Sequence, residues 1–180
     1  MNRFAVLVLM VAGALRPGAF GQGQRQPLTF SSIGAIDAHA HVFSTDPQVG
    51  KFFEKLNLRM VNICVVDPKD RGFEQVEPQH AAAKALYRAT SGRAAWVSTF
   101  DPEGWEKPGF AKAVIAQLEQ TFRDGAAGVK IYKTIGMELK SKSGQYLMPD
   151  NPVFDPIMEA IAARGKTLYA HLAEPAIAWK

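Results

Sequence analysis

Ile36-Asp37-Ala38-His39-Ala40-His41-Val42-Phe43 is the stretch that decides how this chain reads. Apolar and polar residues alternate along it, the period of a half-buried β-strand. On that alternation Ile36, Ala38, Ala40 and Val42 line one face, and Asp37, His39 and His41 line the other. Two imidazoles one strand repeat apart can grip a single metal ion, because neutral imidazole is a common ligand for zinc, iron or nickel. A half-buried pair that merely hydrogen-bonds is the plainer alternative. The stretch also argues by what it lacks. A nucleotide-binding sheet carries a glycine-rich phosphate loop after its first strand, and His-Ala-His-Val-Phe stands there instead.

Working outward, strand and helix patterns alternate. The sequence predicts strands over residues 33–43, 59–66, 94–100, 127–133 and 167–172. Helices are expected over residues 48–58, 77–91, 110–123 and 156–164, with Asp155 capping the last and Gly165 stopping it. Strands begin roughly every 26–40 residues, each followed by a helix, which is the signature of a parallel sheet with helices outside. A doubly wound open sheet and a (β/α)8 barrel both fit, and the missing phosphate loop favours the barrel. A complete barrel takes about 250 residues. The expected fold is therefore α/β, an incomplete TIM (β/α)8 barrel with about five of eight β/α units, over residues 33–180.

The remainder of the 180-residue chain bounds its setting. Arg3, an apolar run over residues 4–15, a break at Arg16-Pro17-Gly18 and small residues at Ala19 and Gly21 form the pattern of a secretory signal peptide, residues 1–21. Residues 22–32 read as a flexible leader. An exported protein, periplasmic or secreted, is expected, with no membrane attachment after cleavage. The net charge is +4, but Lys and Arg are scattered rather than interleaved with aromatics, so nucleic acid is not an expected partner. The single cysteine, Cys64, lies in an apolar strand pattern and reads as a shielded thiol.

In barrels, chemistry sits at the C-terminal ends of the strands. Strand one offers His39 and His41 there, strand two Asp67 and strand three Asp101. In strand four, Val129 and Ile131 should face the helices, which turns Lys130 and Tyr132 inward. In strand five, Leu168 and Ala170 should face out, with Tyr169 and His171 in. An inward lysine is costly unless it meets an anion, a metal site or substrate. Lys133 and Glu174, just past their strand ends, are candidate substrate contacts or partners in loop salt bridges. His80, near the start of a helix, reads as solvated. The basic loop over residues 137–151 lies on the face that sets substrate choice.

Ile-Asp-Ala-His-Ala-His at residues 36–41, Gly-Val-Lys-Ile at 128–131 and the inward His171 together resemble the amidohydrolase superfamily. The closest likeness is to the "amidohydrolase 2" group of metal-dependent hydrolases with TIM-barrel folds, over residues 33–180. The resemblance implies a divalent ion, zinc by preference, held by His39 and His41, with His171 as a further ligand. It implies for Lys130 either a carbamylated metal bridge, as in binuclear members, or no ligand role, as in many mononuclear ones. The family's strand-six histidine and strand-eight aspartate, the latter its usual proton shuttle, have no counterpart in these 180 residues. No catalytic acid or base is therefore assigned. The implied activity is hydrolysis of an amide, cyclic amide or ester bond in a small-molecule substrate by metal-activated water. Alternatives are a metal-dependent decarboxylase or hydratase of the same superfamily, or a catalytically inactive truncated fragment.

Overall fold

A computed structural model describes residues 27–66 and 75–171. The signal-peptide segment, Asp67 and Glu174 lie outside the described residues. In chain order the elements are α1 (Phe30–Ile33), β1 (Ile36–Ala40), α2 (Pro47–Leu56), β2 (Arg59–Ile63), α3 (Val76–Ala89) and β3 (Ala94–Thr99). After these come α4 (Phe110–Arg123), β4 (Gly128–Ile131), α5 (Asp155–Ala163) and β5 (Thr167–Ala170).

All five strands are parallel and lie in the order β1-β2-β3-β4-β5. That order decides between the two architectures. Right-handed crossovers between successive neighbours put every helix on the same face. A doubly wound sheet must instead reverse its strand order at a switch point. The sheet is singly wound and curls into a five-stranded half-barrel.

The helix side carries the apolar core. Val129 and Ile131 pack with Val114 and Leu118 of α4 and with Ile157 and Ile161 of α5. Met60 and Ala94 pack with Phe53 of α2 and Leu86 of α3. Cys64 and Trp96 meet Ala83 of α3. Cross-strand pairing then sets the opposite, concave face. Thr99 pairs with Lys130 and Lys130 with Tyr169, so these three share it. Gly128 is required there: a Cβ would stand 2.3 Å from the Thr167 carbonyl oxygen and 3.1 Å from the Tyr169 ring.

Several expectations need correction. The leader is not featureless to residue 32, and Ile33 does not begin β1. Thr29 caps the one-turn helix α1 with a reciprocal Thr29–Ser32 capping box, and Gly34 ends it in a left-handed conformation. Asp155 is the first residue of α5 rather than its cap. Asn151 does the capping, accepting the Val153 amide at the 3-10 turn Pro152–Phe154 that leads into the helix. The loop after β4 is partly ordered by pairing of Lys140 with Tyr146, and Leu147 is buried beneath it. His80 is not solvated: it is 7% exposed and bonded to β3.

Candidate metal and substrate site

The two histidines of the first strand meet. His39 Nε2 and His41 Nε2 are 3.2 Å apart, with the rings edge-on. His41 Nδ1 lies 2.7 Å from the Ile63 carbonyl oxygen. A carbonyl can only accept, so Nδ1 carries the proton and Nε2 presents its lone pair. This is the outer hydrogen bond that orients a metal-ligating histidine. The spacing also fits an ion. With Zn–N bonds of about 2.0–2.1 Å, two nitrogens of a tetrahedral site stand about 3.3–3.4 Å apart.

The local backbone does not follow the simple alternation. Asp37 pairs with Met60 and Ala40 with Asn62, so Ala38 and His39 together stand opposite the single residue Val61. This register break is a bulge, a device that re-aims side chains beside functional sites. Asp37 thereby falls opposite Met60, whose side chain lies in the helix-side core, rather than in line behind the histidines. Its carboxylate accepts the backbone N–H of His39 at 3.0 Å. Asp37 thus holds the bulge and is not a third ligand on the histidine row.

Asn62, which the sequence reading passed over, fixes the next residues. It is 1% exposed, accepts the Val42 N–H at 2.8 Å and donates to the Val42 carbonyl at 2.7 Å. One amide side chain thus continues the ladder past the end of β1 and pins the backbone beside His41. The signal was present, since Asn62 is a polar residue inside Val61-Asn62-Ile63-Cys64, and buried polar groups find partners.

Lys130 lies on the concave face and is 4% exposed. Burial lowers its ammonium below the usual lysine range. Burial also lowers His39, aided by the charges of Lys130, His41 and His171, while Asp37 opposes the shift. The shift favours the neutral ring, the form that can ligate a metal. His171 is half-buried, and its amide donates to the Ile131 carbonyl at 3.0 Å, continuing β5. Its ring stands edge-on to Tyr132 with centroids 5.4 Å apart. Lys133 places its ammonium 5.5 Å from the centre of the Tyr132 ring.

The structure therefore puts His39, His41, Lys130 and His171 in one electrostatic neighbourhood but brings only His39 and His41 to ligand distance of each other. Among the described residues, no three His, Cys, Asp or Glu side chains gather closely enough to hold an ion. His39 and His41 would hold the metal, with coordination positions left for water and substrate. Asp101, beyond β3, is half-buried and accepts the Glu103 amide at 2.7 Å; burial pushes its carboxyl up to about 6. Comparison with protein-family models, curated proteins and solved structures gave no match for this chain.

Proposed function

We propose that this chain is part of an exported, metal-dependent hydrolase of the amidohydrolase type, built on a TIM-like barrel and cleaving an amide, cyclic amide or ester bond. The observation that carries the reading is the His39–His41 seat, with ring nitrogens 3.2 Å apart and His41 oriented by the Ile63 carbonyl. A bound zinc ion would lower the pKa of its water to about 7, supplying hydroxide at neutral pH. His39 and His41 hold and orient the ion. Lys130 sets a positive field over the concave face, suited to a carbonyl oxygen that gains negative charge. Tyr132 and His171 wall the same region.

A non-hydrolytic reading, decarboxylation or hydration of a small carboxylic acid, is favoured by one feature. Among the described residues no carboxylate pairs with the Lys130 ammonium, so the site offers a cation to an acid.

The test is zinc titration of the chain by calorimetry, beside the His39→Ala and His41→Ala variants. The expected result is one zinc per chain, with affinity falling at least tenfold in each variant. Equal zinc affinity in wild type and both variants would remove the metal seat and the hydrolase reading with it. A screen of amide, ester and carboxylic-acid substrates then separates the two reaction types.

A further inference from the structure

We propose that the end of the half-barrel formed by the strand starts and the helix C-termini docks onto an anionic lipid surface. The inference is independent of the metal seat, since His39 and His41 stand at the other end of β1.

Lysines and arginines are scattered along the sequence, and the winding of the chain gathers them. Each helix runs back along the sheet between two parallel strands, so helix C-termini and the starts of the next strands share one end. Lys55, Arg88, Arg123 and Arg164 stand at the C-terminal ends of α2, α3, α4 and α5. Cations there complement the helix dipoles and need no further reason. Arg59, Arg93 and Lys166 are different, because they open β2 or immediately precede β3 and β5. Across these last helical turns, connections and first strand residues the acids are Glu54 and Asp124, and Asp124 is already bridged by Lys84 and Arg88. Seven cations against two acids exceed the net charge of +4 of the entire chain. Arg164 is answered by Glu119. Among the described residues, Lys55, Arg59, Arg93, Arg123 and Lys166 have no carboxylate partner. Arg93 donates to the Asn57 amide oxygen, Arg123 to that of Gln120 and Lys166 to the Ala126 carbonyl.

Apolar side chains border the same end. Leu28, Phe30, Ile33 and Ile36 are each more than half exposed. Asn57 ties them to the cations: its amide donates to the Ser31 carbonyl of α1 at 2.9 Å and accepts from the Arg93 guanidinium at 3.3 Å. Ile36 is the cross-strand neighbour of Arg59. Exposed apolar side chains beside unpaired cations match a bilayer interface, which offers acyl chains to the first and anionic headgroups to the second. A nucleic acid would meet the charges and leave Leu28, Ile33 and Ile36 without a partner. Among the described residues no helix is long and apolar enough to cross a membrane, so the contact is with its surface. Docking reverses the expectation of an exported chain free of the membrane, and it turns the His39–His41 seat away from the lipid.

The experiment is flotation of the full chain with vesicles of phosphatidylcholine alone and of phosphatidylcholine with about one-third phosphatidylglycerol. It is repeated on Lys55→Gln/Arg59→Gln/Arg123→Gln, on Leu28→Ser/Phe30→Ser, and on Lys51→Gln/Lys112→Gln/Lys142→Gln, which removes the same charge away from this end. Every substituted side chain is exposed, and the leader is common to all four proteins. Wild type should bind the anionic vesicles at least tenfold more tightly than the neutral ones. The first triple variant should lose at least tenfold, the apolar double variant at least threefold, and the second triple variant less than twofold. Equal binding of wild type to both vesicles overturns the proposal without any variant. So do equal losses in the two triple variants, and so does duplex DNA that binds wild type more tightly than the anionic vesicles. Undiminished binding by Leu28→Ser/Phe30→Ser overturns it too, because a face held by charge alone is not set into a bilayer.

Discussion

Acid should loosen the end of β3 through His80. The ring sits on α3, 7% exposed, edge-on to Trp96, and its Nε2 accepts the Thr99 amide at 3.2 Å, with Ser98 Oγ also at 3.2 Å. A protonated imidazole has no lone pair with which to accept. Burial, with a smaller contribution from the Lys84 charge, drives His80 from 6.5 down to about 4. The sign follows from which state takes the proton first. In the unfolded chain His80 protonates near 6.5, and in the fold only near 4, so its contribution is fully present above the unfolded value and is lost as pH falls through this window. Linkage gives a loss of about 2 kcal/mol between pH 7 and pH 5 and about 3 kcal/mol by pH 4. Urea denaturation of wild type and His80→Gln at pH 7 and pH 5 measures it. Glutamine can accept the Thr99 amide but does not titrate, so the difference between the two proteins cancels every other group. Wild type should lose about 2 kcal/mol more than the variant on acidification. A difference below about 0.5 kcal/mol would refute the reasoning, since it would mean that His80 is not held neutral by the fold.

Three further outcomes are expected. Asn62→Leu leaves the Val42 N–H and C=O without their 2.8 and 2.7 Å partners, and should cost about 2–4 kcal/mol in denaturant melts. It should also weaken zinc binding at least tenfold by calorimetry, because the backbone beside His41 is released. Gly128→Ala should cost about 3 kcal/mol, because the new methyl meets the Thr167 carbonyl oxygen at 2.3 Å and backbone cannot swing aside. Cys64 should resist a thiol reagent at pH 8 until denaturant is added: it is fully buried, and burial pushes its thiol up to about 12.

Much of the frame is legible in the sequence because it rests on periodicity. Val114, Leu118 and the rest of the α4 stripe, and the Val129/Ile131 alternation of β4, each have one way to bury their apolar side. The inward turn of Lys130 follows from the same parity. What the sequence does not display is anything fixed by partners distant along the chain. His80 looks like a polar residue on the first turn of an exposed helix until β3 is packed against it. Asn62 looks like an interruption in an apolar strand until Val42, twenty residues earlier, supplies both its bonds. The start of β1 is misread for a local reason. Ile33 has strand-like chemistry, but the Thr29–Ser32 capping box gives the preceding residues a helical turn, with Gly34 to end it.

The His39–His41 seat shows how these contributions combine. A regular strand would put Asp37, His39 and His41 in one row, a plausible three-ligand set on paper. The bulge at Ala38–His39 breaks the row. It takes the Asp37 carboxylate to the His39 amide, where it steadies the irregular backbone instead of standing beside the ring nitrogens. Beyond the bulge, Asn62 restores a fixed backbone at Val42, and the Ile63 carbonyl chooses the His41 tautomer. Two adjacent residues of β2 thus place what β1 presents. The seat depends on the β1–β2 pairing as a unit, since His-x-His on a strand free to slide would keep both rings and lose their shared aim. The same pairing aligns the end of β1 with Lys130 across the curl of the sheet, close enough for the lysine charge to lower His39. An imidazole pair beside a buried cation can divide two tasks: ring nitrogens for a metal, and a positive field over the concave face.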